Sequence, residues 1–117
     1  MKKTILSIYL ALCTLTLTAQ NKTTTENNSI RIMSYNIHAG IGMDSKLDIE
    51  RLADIINNYN PDIVALQEVD SVTNRVNKKD MMSEFSSYTL MHGYFGAAIP
   101  HDGGKYGIGI LSKEKPP

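Results

Sequence analysis

A chain of 117 residues has room for one domain. Its charge is balanced, with 12 basic against 12 acidic side chains. That balance excludes a strongly basic protein of the kind that grips nucleic acid through a cationic face. A single cysteine excludes a disulfide framework, so packing alone must hold the fold.

In chain order, Lys2 and Lys3 precede an apolar run from Ile5 to Leu17, and Thr18-Ala19 offers small residues before Gln20. This layout predicts a signal peptide over 1–19 and an exported product, periplasmic or extracellular. The run is too short to span a bilayer comfortably; a short anchor or a buried N-terminal helix are the other readings. Cys13 follows Leu10-Ala11-Leu12, and lipid attachment there is the lesser alternative because Leu12 is not small. In the main reading Cys13, Lys2 and Lys3 leave with the leader, so 10 of the 12 basic residues face 12 acidic ones. Nucleic acid stays open as a substrate without being indicated by charge, and nothing sets an oligomeric state.

Gln20–Ser29, rich in Asn, Thr and Lys, predicts a solvated linker over 20–29. Ile30–Ile37 predicts a strand, and Gly40 and Gly42 a loop over His38–Lys46. Asp48 is a helix N-cap with Glu50 in the first turn. Ile49, Leu52, Ala53, Ile56 and Tyr59 recur at helical spacing, Ile55 widens the stripe, and Asn60-Pro61 ends the helix. The continuous apolar run Ile63-Val64-Ala65-Leu66 suits a strand covered on both faces. Strand, helix and strand in about forty residues predict a βαβ unit with parallel strands. Asp80–Ser87 predicts a second helix with Met81, Met82 and Phe85 inward. Leu90–Ile99 and Tyr106–Ser112 predict two strands joined as a hairpin through Pro100–Lys105.

In this α/β arrangement Asn36, near the end of the first strand, and Glu68, just past the second, fall at one sheet edge. Ligand sites form outside the carboxyl ends of parallel strands. A carboxylate beside an amide oxygen is a hard-oxygen set suited to Mg²⁺, which needs only one or two protein carboxylates. By themselves the same residues also serve as a turn-forming Asn and a solvated Glu. His92 and His101 carry no motif and read as surface or turn residues.

Three blocks occur in order: Met33-Ser34-Tyr35-Asn36-Ile37-His38, then Pro61-Asp62-Ile63-Val64-Ala65-Leu66-Gln67-Glu68-Val69-Asp70, then Tyr106-Gly107-Ile108-Gly109-Ile110-Leu111-Ser112-Lys113. Together they resemble the opening motifs of the endonuclease/exonuclease/phosphatase, or deoxyribonuclease-I-like, family. The resemblance implies that 30–117 is the N-terminal part of such a domain. The implied fold is the first half of a four-layer α/β sandwich, two packed mixed sheets flanked by helices. It implies Glu68 as metal ligand and Asn36 as a catalytic neighbour of metal and scissile phosphate, with Mg²⁺ or Mn²⁺ as cofactor. Asp70 and Arg75 lie in a segment where relatives carry polar residues facing the cleft. Arg75 suits a phosphate contact, and His38 a place close behind the site. Ile108 stands where relatives often carry Asn, which removes a polar contact.

The family's later Gly-Asp-Phe-Asn and Ser-Asp-His blocks do not occur here, so the expectation is a truncated frame, inactive by itself. The functional expectation is part of an exported metal-dependent phosphoester hydrolase acting on a phosphate ester. The alternative is a small exported binding module without catalysis.

Overall fold

The computed structural model describes residues 29–117. The leader predicted over 1–19, Cys13 and nearly all of the linker predicted over 20–29 lie outside the described residues.

Alternation in β1 (Ile32–Asn36) turns Met33 and Tyr35 toward the core and leaves Ile32, Ser34 and Asn36 exposed. A short 3-10 turn, His38–Gly40, follows. Helix α1 (Ile49–Tyr59) starts where the Asp48 carboxylate accepts the Arg51 N–H at 2.9 Å. It stops at Asn60, whose left-handed backbone, φ 47°, lets its N–H return to Ile56 and Asn57 oxygens. Ile49, Ala53 and Ile56 are buried, whereas Tyr59 and Ile55 of the predicted stripe turn outward. Strand β2 (Ile63–Ser71) runs well past the apolar run, so Glu68 lies inside it and not beyond its end. Helix α2 (Met81–Thr89) is capped by Asp80 and buries Met81, Met82 and Phe85. Leu90 ends it in a left-handed conformation, which delays β3 to His92–His101; β4 is Gly104–Ser112.

The strands form one mixed sheet in the order β1-β2-β4-β3. As predicted, β1 and β2 are parallel, with Asn36 opposite Gln67, and β3 and β4 form an antiparallel hairpin. The core lies between the helices and one sheet face, where Phe85, Ile56, Val64, Leu66 and Leu111 are almost fully buried. Each such side chain contributes about 1.5–3 kcal/mol relative to exposure. The expectation that β2 is covered on both faces does not hold among the described residues. The second face carries Ile32, Ile108, Ile110 and Tyr94, all exposed. Among the described residues no helix is long and apolar enough to cross a membrane.

Candidate functional site

The inward residues of β2 are Val64, Leu66 and Val69, at 0, 1 and 0% exposure. Their spacing is two and then three. Strict alternation would bring Glu68 inward after Leu66, at a large desolvation cost. A β-bulge prevents this. Gln67 pairs with Ile108 and Val69 with Gly107, so Glu68 is the extra residue. Its φ of 60° is a conformation that costs a non-glycine residue about 1–3 kcal/mol and that concentrates at functional sites. A second register shift, in β3 between Ala97 and Ile99, also meets β4 at Gly107. A Cβ at Gly107 would strike the Gly96 carbonyl, so this glycine lets the two bulged strands flank β4.

The bulge brings the Glu68 carboxylate against β1. Asn36 Nδ2 donates to Glu68 Oε1 at 2.8 Å, and Asn36 Oδ1 accepts the His38 backbone N–H at 3.0 Å. A backbone N–H can only donate, so the amide orientation is determined. As arranged, Asn36 spends its oxygen on His38 and its N–H on Glu68. In this arrangement Asn36 orients the Glu68 carboxylate, and its oxygen, which has a second lone pair, already accepts one hydrogen bond. His38 has φ 48°, and its Nδ1 lies 3.0 Å from the Ile41 carbonyl. That carbonyl only accepts, so Nδ1 carries the proton and Nε2 is left for another partner.

Glu68 and His38 line a cleft of about 230 Å³, and Arg75, His101 and Tyr106 form part of its wall. The wall is built by Asp70 and by the loop after β2. Asp70 is fully buried. Its carboxylate accepts Arg75 Nε and Nη2, both at 2.7 Å, and the Thr73 hydroxyl. Burial would push the Asp70 carboxyl up, but the guanidinium and the hydroxyl outweigh it and hold the group below its ordinary value. The same carboxylate pushes Arg75 up, more strongly than burial lowers it. Asp70 therefore stands behind Arg75 and is not among the residues that line the cleft.

His101 was not singled out by sequence. The two-residue turn Asp102-Gly103, with φ 43° and 76°, places it beside the loop. Asp102 accepts the Arg75 N–H at 2.8 Å and the Asn74 side-chain N–H at 3.1 Å, which ties hairpin and loop together. The Asp-Gly pair is a readable hairpin signal, but only the sheet order shows that its tip meets the Glu68 edge. His92 begins β3 opposite Ser112, at the other end of the strand, and Ile108 lies exposed on the uncovered sheet face.

The chain is thus an α/β protein, a four-stranded mixed sheet with helices on one face and a carboxylate presented by a strand bulge. The pattern of the Endonuclease/Exonuclease/phosphatase family matches residues 33–117, and the chain belongs to that family. Among solved structures, an endonuclease/exonuclease/phosphatase from Beutenbergia cavernae is 23% identical with a TM-score of 0.59, covering 74% of this chain and 26% of that one. An endonuclease/exonuclease/phosphatase family protein from Leptotrichia buccalis is 17% identical with a TM-score of 0.57, covering 74% and 38%. Both share the fold, and this chain spans well under half of either. No curated protein sequence matches it.

The family is one of phosphoester hydrolases and is generally metal-dependent. Among the described residues no three His, Cys, Asp or Glu side chains gather into a metal-holding group. Glu68 nonetheless fits as a single hard ligand, half-buried at the cleft, with Oε1 fixed by Asn36. Mg²⁺ accepts such a site, since water and phosphate oxygens complete its shell.

Proposed function

We propose that this chain is the N-terminal part of an exported, Mg²⁺- or Mn²⁺-dependent phosphoester hydrolase. The observation that carries the reading is Glu68, held out of the core by a bulge at φ 60° and oriented by Asn36 at 2.8 Å. A backbone strained to present one carboxylate to a cleft is explained by a ligand for that carboxylate.

Glu68 would hold the metal, and Asn36 would keep the carboxylate aimed. A bound Mg²⁺ would polarise a phosphoryl oxygen and offset charge on the leaving group. His38, through Nε2, would accept a hydrogen bond from a cleft water or substrate hydroxyl. The exposed face bearing Ile32, Ile108 and Ile110 would seat a second sheet, completing a four-layer sandwich. The groups that activate the attacking water would come with that remainder, and the 117 residues alone would not turn over. The leader at 1–19 would direct export, with the folded domain starting near residue 30.

Mn²⁺ titration followed by NMR tests the reading. Paramagnetic broadening should centre on Glu68, Asn36 and His38 and vanish in Glu68→Gln, with Mg²⁺ competing. A folded chain in which Mn²⁺ broadens nothing near Glu68 would overturn it in favour of a non-catalytic binding module.

A further inference from the structure

We infer that Arg75 and His101 form an oxyanion clamp in the cleft that Glu68 also lines, built to take a phosphate group independently of any metal. The inference rests on the phosphoester reading and adds to Arg75, which the sequence already suits to a phosphate, a second donor that carries no motif, His101.

Among the described residues Arg75 is held on one edge only. A guanidinium carries five N–H groups in a rigid planar fork. Asp70 takes Nε and one N–H of Nη2, the side-on edge. The end-on edge, Nη1 with the second N–H of Nη2, meets no protein acceptor among the described residues. That edge is a parallel pair of donors spaced for two oxygens of one phosphate. The Tyr106 ring lies 5.5 Å from the guanidinium carbon and supports the plane. The Arg75 backbone is fixed in turn by Asp102. The fork is thus oriented before any ligand arrives, which reduces the entropy lost on binding.

His101 supplies the second donor. It immediately precedes the Asp102-Gly103 turn that is tied to the Arg75 loop, and its ring lies 5.8 Å from Tyr106 at a 60° tilt. No described residue hydrogen-bonds to this imidazole, and every protonation state of it carries at least one N–H. Tyr106 therefore lies against both Arg75 and His101, and all three line the same cleft as Glu68. At about 230 Å³ the cleft is smaller than the roughly 300–1,000 Å³ that holds a drug-sized ligand. It suits one phosphate and the start of its ester group. Without metal, Glu68 repels that phosphate, so the clamp and the carboxylate make opposite contributions that can be separated.

The test is an NMR titration of the whole chain with inorganic phosphate in metal-free buffer, using chloride at matched ionic strength as control. Saturable shifts are expected at the His101 ring C–H and the Arg75 Nε–H. His101→Ala should keep the fold and bind phosphate about tenfold more weakly, the usual worth of a hydrogen bond to a charged group. Glu68→Gln should bind phosphate more tightly while losing Mn²⁺. Arg75→Lys should also weaken phosphate, and should it unfold through loss of the Asp70 pair, His101→Ala still decides. Unmoved His101 and Arg75 signals, or unchanged phosphate affinity in His101→Ala, would overturn the clamp. Mn²⁺ binding at Glu68 with no phosphate response would sink the clamp alone, whereas phosphate binding without any Mn²⁺ response would sink the metal reading alone.

Discussion

Asn36 and Glu68 come from two parallel strands 32 residues apart in sequence and meet at 2.8 Å. The contact exists because a bulge moves Glu68 off the inward face of β2 and because the His38 N–H fixes the Asn36 amide. Asn36→Ala removes the orienting donor but leaves the carboxylate in place. Mn²⁺ or Mg²⁺ affinity should fall about tenfold, the lower end of the cost of losing a partner that orients a metal ligand. Thermal stability should change little, since Asn36 is exposed. Calorimetric titration checks this; unchanged affinity would show that the bond does not orient Glu68.

The Asp70–Arg75 pair predicts an acid limb in stability. The folded state holds the Asp70 carboxyl below its ordinary value, chiefly because Arg75 and Thr73 outweigh burial. The unfolded chain therefore takes up the proton at a higher pH, near the usual carboxyl value of about 3.9. Stabilisation is fully present above that value and is lost as pH falls toward the lower, folded one. Urea midpoints measured from pH 6 downward should show this loss, and Asp70→Asn should flatten it while lowering stability at neutral pH. Arg75→Ala, which strands a buried carboxylate, should cost about 2–3 kcal/mol, discounted because Arg75 is partly solvated.

Gly107 sits where the bulges of β2 and β3 both meet β4. A methyl group there would collide with the Gly96 backbone carbonyl, which cannot move aside as a side chain can. Gly107→Ala should destabilise by about 2–3 kcal/mol. It should also disturb amide signals around Glu68, which a remote core substitution would not do. Chemical denaturation with a two-dimensional amide spectrum reads both, and a neutral substitution would show that the strands have slack.

The proposed export predicts a processed chain. Expressed with its leader in a secreting bacterium, the protein should be recovered outside the cytoplasm with Gln20 as its first residue. N-terminal sequencing checks the cut. A product starting at Cys13 with added lipid mass would support the lipoprotein alternative, and an unprocessed chain in the cytosol would remove the export reading.

Local signals in the sequence determined the elements whose cause is local. Asp48 and Asp80 cap their helices because a short carboxylate reaches the N–H three residues on. Met81, Met82 and Phe85 lie inward because helical spacing gathers them on one face. The parallel pairing of β1 and β2 followed from the intervening helix, and the three motif blocks carried the family. The Glu68 bulge was not legible, because alternation read from sequence assumes that every residue is paired. Only the register against Ile108 and Gly107 shows the extra residue. Nor could sequence bring His101, Arg75 and Tyr106 to one cleft, or show that Asp70 is buried behind Arg75. Those relationships depend on β4 inserting between β2 and β3. That order joins strands distant in the chain through their hydrogen-bond registers, a property of the whole sheet and not of any short segment.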